Sequence, residues 1–297
     1  MRFAVSVIIG LAVLAILPVV VPAVEGEKGE NRGKTPVISA NLSFEQVKRA
    51  EINSSGASIG YTELSAGLKW QFLLFDIDHR EYEWEKSEYF GSDEGKDPWE
   101  TLTRISPGLQ YYYKLNGKWG IWPKVVAIAG FEDDISAKSW TYNPQVVGFY
   151  MPTQQITLYG GVGMLYHPVN SIVYPALGVA WNMKYREGLS GAAGFPETML
   201  RYGFNERTAL KMDFQWDIRF YSLAGDNNLA PEGFIEIEDI TYSLQLEQKL
   251  FKELTLSLGV RRYAGRKLTV FDHAENELTS NDVKATWAYL LGIDCQF

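Results

Sequence analysis

The pattern that carries most chemistry is an eleven-residue alternation of charged and large apolar side chains. Its apolar members are Leu210, Met212, Phe214, Trp216, Ile218 and Phe220, and the residues between them are Lys211, Asp213, Gln215, Asp217 and Arg219. A period of two is typical of a β-strand with two different faces. Turning the charged face toward lipid would cost on the order of 8 kcal/mol in total. The pattern therefore predicts a strand whose charged face lines a polar interior.

The same reasoning places eight charged residues of several strands on that interior face. They are Arg104, Lys124, Lys211, Asp213, Asp217, Arg219, Glu247 and Arg261. Two roles remain open for them. They could line a pore, where rings of charge set ion selectivity, or they could form ion pairs that fill a narrow bore. Because both signs are present, neither an anion nor a cation preference is predicted.

No catalytic set emerges from the three histidines, His79, His167 and His273. None stands in an ordered nucleophile, base and orienting-group arrangement, so a structural role is expected for each and no enzyme is predicted. A lipid hydrolase remains a third hypothesis, because the members of a triad can be distant in sequence.

The chain also gives no reason to predict a metal, a cofactor or a nucleic-acid partner. Residues 76–100 hold ten carboxylates against three Lys and Arg residues, but they lack the spacing of a calcium loop. A formal net charge of −8 without a basic cluster argues against nucleic acid. Cys295 is the single cysteine and lies in an apolar series, so we expect it to act as a small hydrophobic residue.

The elements that must position these residues are β-strands throughout. Similar alternation over 64–74, 240–246 and 254–260, with a tight-turn signal at Asn116-Gly117, predicts an all-β, antiparallel up-and-down transmembrane barrel of about twelve strands, with ten to fourteen possible. The predicted strands are roughly 37–47, 62–75, 101–114, 118–132, 140–151, 155–166, 171–183, 196–204, 208–223, 234–249, 254–271 and 282–297. An additional hairpin within 76–100 would make fourteen.

Connection lengths predict which end faces which side, because periplasmic turns are short and outer loops are longer. With both ends of the barrel periplasmic, the turns 167–170, 205–207 and 251–253 are expected in the periplasm. The segments 184–195, 224–233 and 272–281 are expected outside. The first half obeys the rule poorly, since 76–100 is long for a periplasmic turn and Asn116-Gly117 is short for an outer loop.

The two ends of the chain indicate export. Arg2, an uncharged apolar run over 3–21 and Val21-Pro22-Ala23 predict a signal peptide over residues 1–23, the alternative being a membrane anchor. Residues 24–36 are predicted to form a flexible lead-in, and 37–297 the barrel. The final strand carries the apolar series Tyr289, Leu291, Ile293, Cys295 and Phe297.

The strands, the signal peptide and the terminal Phe297 together resemble the Gram-negative outer-membrane β-barrel superfamily. The resemblance implies a multi-pass barrel in the cell outer membrane, in contact with its lipid, with an oligomeric state left open. The series Tyr289, Leu291, Ile293 and Phe297 is similar to the signal by which the barrel-assembly machinery recognises such proteins, although Cys295 departs from the usual hydrophobic residue. Residues 195–221 are also loosely similar to a bacterial barrel family of unknown function.

Three functions follow as hypotheses. The first is a narrow channel, or transport-related barrel, for small solutes. The second is a closed barrel whose outer segments 184–195, 224–233 and 272–281 bind a partner or stabilise the membrane. The third is the lipid hydrolase.

Overall fold

Alternating apolar and polar residues form β-strands along almost the whole chain in the computed structural model, which describes residues 38–53, 55–91, 96–183 and 186–297. The predicted signal peptide and lead-in therefore lie outside the described residues. Two short 3-10 helices, Ser87–Phe90 and Ala137–Ser139, lie between strands. The strands are β1 (Ile38–Glu51), β2 (Ser58–Trp70), β3 (Leu73–Glu85), β4 (Thr101–Gln110), β5 (Tyr113–Lys114), β6 (Trp119–Phe131), β7 (Trp140–Tyr150), β8 (Ile156–Tyr166), β9 (Ser171–Trp181), β10 (Gly188–Phe195), β11 (Glu197–Gly203), β12 (Thr208–Ser222), β13 (Phe234–Lys249), β14 (Leu254–Phe271), β15 (Glu277–Val283) and β16 (Thr286–Gln296).

These strands close into one antiparallel barrel of fourteen strands. Neighbours in sequence pair with each other, and β1 also pairs with β16, so no open edge remains at the ends of the chain. The two-residue β5 continues β4, and β15 leads into β16 to complete the last strand. Closure satisfies the backbone hydrogen bonds that a bilayer cannot.

The predicted count of twelve missed two strands for identifiable reasons. Strand β3 lies partly in the acidic stretch, and its outward residues Glu81, Glu83 and Glu85 interrupt the apolar alternation. Strand β10 was predicted as the outer loop 184–195. It consists mainly of glycine and alanine, so it carries almost no large apolar signal.

The two missed strands change the sidedness of the middle of the chain. Adding β3 reverses the predicted direction of strands β4 to β9 across the membrane. Adding β10 restores the predicted direction from β11 onward. The turn 167–170 therefore lies at the same end as 223–233 and 272–276, opposite to 204–207 and 250–253, which corrects the prediction for 167–170. We call the end with the short turns 71–72, 115–118, 204–207 and 250–253 the periplasmic end and the other the outer end.

The outer surface of the barrel is apolar and rich in exposed aromatic residues. Its exposed side chains include Phe44, Trp70, Phe75, Leu109, Trp119, Val146, Leu158, Val162, Val173, Leu177, Met212, Tyr242, Leu244, Leu246, Leu258, Trp287, Tyr289 and Leu291. Such a band with aromatic rims matches the hydrocarbon core and interfaces of a bilayer. Among the described residues, no helix combines the length and the hydropathy needed to cross a membrane.

Strand β12 departs from the wall in its outer half. Its pairing with β11 ends at Gln215, and beyond that point Ser222 forms a bridge to Phe131 of β6. The approach is so close that a Cβ on Gly130 would lie 2.0 Å from the carbonyl oxygen of Phe220. We call this contact the β6–β12 seam. It divides the outer half of the barrel into a narrow main lumen and a side region under β8 and β9.

Because of this departure, the apolar face of β12 is not lipid-facing along its whole length. Ile218 and Phe220 are buried against Leu165 and Tyr174, the inward-facing residues of β8 and β9. His167, in the turn after β8, stacks on Phe220 with ring centroids 4.5 Å apart. We expected all six apolar residues of this strand to face lipid. That expectation is wrong for Ile218 and Phe220, which lie toward the outer end.

A second packed region fills the main lumen at the outer end, and we call it the apolar plug. It consists of inward residues from the surrounding strands together with Trp99 from the loop between β3 and β4; its largest buried members are Trp99, Tyr221, Ile52, Ile59, Leu102, Ile235, Ile237 and Leu268. Trp84 donates a hydrogen bond from Nε1 to the Trp99 carbonyl oxygen at 2.9 Å, which fixes that loop in the lumen.

Candidate functional site in the barrel lumen

The structure places all eight charged residues predicted to face the interior on the inner face of the barrel. Most of them are in ion pairs: Arg104 with Asp78, Lys211 with Asp213, Arg219 with Asp217, Arg201 with Glu247, and Arg261 with Glu45. Lys124 projects toward Glu197 and Asp76. Their role, as a pore lining or as ion pairs that fill the bore, stays a prediction.

Six of the inner residues form a cluster that bridges opposite walls, which we call the cross-lumen cluster: Glu63, Arg80, Asp78, Arg104, Asp217 and Arg219. Arg219 of β12 donates to Glu63 of β2 at 2.9 Å and to Asp217 at 2.5 Å. Arg104 of β4 lies 2.7 Å from Asp78 and 3.9 Å from Asp217. Glu63 also accepts from Arg80 of β3. Strands β2 and β12 are not neighbours, so these contacts cross the bore.

Beside the cross-lumen cluster, and extending from it toward the outer end, lies a second set of polar contacts, the outer network: Glu45, Tyr61, Asp239, Arg261, Tyr263 and Arg266. Tyr263 donates to Glu45 at 2.7 Å, and the Tyr61 hydroxyl donates to that of Tyr263 at 2.8 Å. Arg266 reaches Asp239 at 2.7 Å and the Tyr61 hydroxyl at 2.9 Å. Its guanidinium also lies over the Tyr263 ring, 4.2 Å from the centroid. Buried charges of this kind are tolerated when each is paired.

Solvent access falls steadily from the periplasmic end to the outer end of the lumen. The side chains of Lys211 and Asp213 are 29% and 24% exposed, whereas those of Arg80 and Arg266 are 1% and 3% exposed. The lumen is thus a solvent-accessible, charged chamber below a closed constriction.

Sequence reasoning missed much of the constriction. Glu63 lay on the polar phase of a predicted strand and could have been found from the alternation alone. Arg80 and Asp78 lie on β3, which was not recognised as a strand. Arg266 faces inward because a bulge near Ala264 shifts the register of β14 against β13. A single inserted residue reverses the two faces of a strand, and the sequence carries no clear signal for it.

The three histidines lie apart from one another. His167 is buried, and burial lowers its pKa to about 4. His79 lies on the outward face of β3 and contacts Thr103 Oγ1 at 2.9 Å, with Glu81 at 3.9 Å. His273 is in the hairpin between β14 and β15. Within the described part of the chain, no group of three or more potential ligands is placed to hold a metal ion.

The residues of the resemblance to an assembly signal lie on one face of the final strand. Tyr289, Leu291 and Ile293 project outward from β16 and are partly exposed, as is Phe297. The backbone of Phe297 pairs with Ile38 of β1 at 2.9 Å. Recognition by the assembly machinery stays a prediction.

A closed barrel with a charged lumen and an apolar, aromatic-rimmed exterior is now established. The fold is that of an outer-membrane β-barrel. No protein-family model matches the chain, so the looser similarity of residues 195–221 to a family of unknown function gains no support. No curated protein matches it in sequence either.

The solved structures that match the chain include a porin, an outer membrane channel and an outer membrane protease. The COG4313 outer membrane channel from Pseudomonas putida F1 is 11% identical, with 92% of this chain and 100% of that chain covered at a TM-score of 0.45. The NanC porin is 10% identical, with 86% of this chain and 100% of that chain covered, at a TM-score of 0.39. The outer membrane protease OmpT from Escherichia coli is 9% identical, with 90% of this chain and 99% of that chain covered, at a TM-score of 0.28.

Proposed function

We propose that the protein is a narrow channel for small solutes in the outer membrane, and that the conformation described here is its closed state. The single observation that supports this function best is the gradient of access along the lumen. A solvent-accessible chamber lined by Lys211, Asp213 and Glu197 leads from the periplasmic end to ion pairs that span the bore. A purely structural barrel does not require an accessible chamber lined by acidic and basic side chains.

The gate in this proposal is the cross-lumen cluster with the apolar plug above it. Arg219 and Arg104 hold β12 to β2 and β4 by side-chain contacts, not by backbone pairing. Side-chain ion pairs can exchange partners while the strands stay in place. Opening then needs a shift of the outer half of β12, which has no β11 partner beyond Gln215.

The test is conductance of the purified protein in a planar bilayer. We expect small or infrequent steps from the wild type. In an Asp217→Asn/Arg219→Gln double variant, the neutral side chains of β12 no longer hold the bore closed, so we expect a several-fold higher open probability or conductance. Glu63 keeps Arg80 and Arg104 keeps Asp78 as ion-pair partners, so the double change avoids leaving one buried charge alone.

The matched control is Glu83→Gln/Arg49→Gln, which removes an exposed ion pair of 3.0 Å between β1 and β3. Conductance of this control should equal that of the wild type. A membrane that stays silent with every variant would count against the channel.

The closed-barrel alternative is favoured by one observation, the apolar plug that fills the outer end of the main lumen. Its partner-binding surface would be formed by the outer segments 223–233 and 272–276, since 184–195 contains strand β10 instead of an outer loop. Deleting these loops should then abolish partner binding without changing permeability.

Within the described residues, the arrangement that bears on the hydrolase alternative is Thr103 with His79 and Glu81 on the outward faces of β3 and β4, where Thr103 is buried. Hydroxyl, imidazole and carboxylate in that order could in principle perform acyl transfer. If it operates, His79→Ala and Thr103→Val should each abolish lipid turnover by the purified protein. Unchanged turnover in both variants would remove this alternative and leave the protein without an enzymatic role.

A further inference from the structure

Four basic residues surround a cavity of about 540 Å³ at the periplasmic end of the barrel. They are Arg186, Arg207, Lys249 and Lys252, and the cavity is also lined by Glu206, Leu250 and Phe251. Glu187 and Glu253 lie in the same turns but not on the cavity wall. The cavity therefore has a net positive lining in a chain that is acidic overall.

None of the four basic side chains has an ion-pair partner among the residues that the structure describes. This contrasts with the lumen, where most of the predicted cations are within 4 Å of a carboxylate. Four unpaired cations in proximity repel one another, and an anion bound between them would remove that repulsion.

The cavity is built from three turns that are held together by backbone and side-chain hydrogen bonds. Arg207 accepts a hydrogen bond on its carbonyl oxygen from Lys249 N at 2.7 Å. Arg201 donates from Nη1 to the Arg186 carbonyl oxygen at 2.9 Å, and Arg201 is itself held by Glu247 at 2.8 Å. The basic side chains thus project from a preformed rim instead of from independent loops.

The surroundings of the cavity indicate a ligand that belongs to the membrane. Phe251 is 69% exposed, and Leu250 beside it is 47% exposed. Tyr202 and Phe204, an edge-to-face pair with centroids 5.2 Å apart, lie on the outer face of the adjacent strand and turn. Exposed aromatic residues at the end of a barrel strand are typical of the membrane interface, where lipid headgroups lie.

We propose that this cavity binds the phosphate of an anionic phospholipid headgroup in the periplasmic leaflet. Arg186 and Arg207 offer planar guanidinium groups that can each hold two phosphate oxygens, and the two lysines add charge. Leu250 and Phe251 lie against the acyl chains. The site is separate from the lumen, so it does not depend on the channel function.

The test is native mass spectrometry of the detergent-purified, full-length protein titrated with phosphatidylglycerol. In the wild type we expect one phosphatidylglycerol molecule that survives at activation energies which remove the others. In Arg186→Gln/Arg207→Gln, binding of that molecule should weaken by roughly tenfold or more. Heat-modifiable gel mobility verifies that the variant is folded.

The control is Lys114→Gln/Lys118→Gln, which removes the same charge at the same end, in β5 and the turn that follows it, away from the cavity. It should retain the tightly bound lipid. If both double variants lose the tightly bound lipid equally, or if neither loses it, the proposed site is overturned. Displacement of the lipid by millimolar glycerol phosphate would overturn the assignment to a lipid, because the site would then bind the soluble anion.

Discussion

At the scale of single residues, the lumen depends on complete pairing of buried charge. The Arg80 guanidinium is 1% exposed and has Glu63 as its ion-pair partner, and Glu63 also holds Arg219. Replacing such a pair as a whole can be neutral, but removing one member leaves a buried charge without compensation.

The first prediction concerns Glu63. In Glu63→Ala, Arg80 and Arg219 lose a shared counter-ion, and we expect the free energy of unfolding to fall by about 3–5 kcal/mol. The measurement is urea unfolding in detergent micelles, followed by heat-modifiable gel mobility. Glu83→Ala, which breaks an exposed ion pair on the rim, should change the free energy of unfolding by less than about 1 kcal/mol. Equal effects of the two changes would show that the cluster does not stabilise the barrel.

The second prediction concerns pH and His167, which lies in a turn outside the spans. Burial lowers its pKa to about 4, below the ordinary value of about 6.5. Between these values the unfolded chain binds more protons than the folded one. The free energy of unfolding should therefore fall as the pH is lowered from 6.5 to 4, by at most about 3 kcal/mol.

The comparison is His167→Phe, which keeps an aromatic ring stacked on Phe220 but cannot titrate. Unfolding midpoints measured across this pH window should fall less steeply in the variant than in the wild type. If the unfolding midpoints of the variant and the wild type change in parallel with pH, His167 does not cause the pH dependence of stability.

At the scale of elements, the β6–β12 seam decides the shape of the lumen. Glycine is required at position 130 because the carbonyl oxygen of Phe220 occupies the space of a Cβ. The seam is held further by Ser222, whose hydroxyl lies 2.6 Å from that of Ser139.

The third prediction is that Gly130→Val separates β6 from β12. Overpacking at such a contact costs about 1–3 kcal/mol, and the outer half of the lumen should become more permeable. Gly160→Val in β8 is the matched control, because nothing lies within 4 Å of its added Cβ. Conductance and unfolding midpoint should change only for position 130. If both variants behave like the wild type, the seam does not close the lumen.

At the scale of the whole molecule, the number of strands determines which loops face outside. With fourteen strands, the turn 167–170 and the long connections lie at the outer end, and the turn 115–118 lies at the periplasmic end. A twelve-strand barrel would instead place the turn 167–170 at the periplasmic end and the turn 115–118 at the outer end.

The fourth prediction tests this arrangement directly. An epitope inserted after Asn170 should bind antibody on intact cells, whereas one inserted after Asn116 should bind only after the outer membrane is permeabilised. Western blots of both variants serve to verify equal expression. The opposite labelling pattern would contradict the fourteen-strand topology and restore the twelve-strand one.

Much of this protein could be inferred from its sequence, because alternation of apolar and polar residues is a local property. The strand Leu210 to Phe220, the inward position of its charges and the barrel class all follow from a period of two. Where the local signal is weak, the inference fails. Strand β10 is almost without large side chains, and the outward glutamates of β3 hide its strand character.

The pairing of Glu63 with Arg219, the seam at Gly130 and the burial of Ile218 and Phe220 were decided by tertiary structure alone. Each joins residues that are far apart in the chain, and each depends on β12 leaving the wall. Alternation states which face of a strand is polar, but it cannot state what lies opposite that face. The sequence by itself determined a membrane barrel with a charged interior, and only the closed structure determined where that interior is blocked.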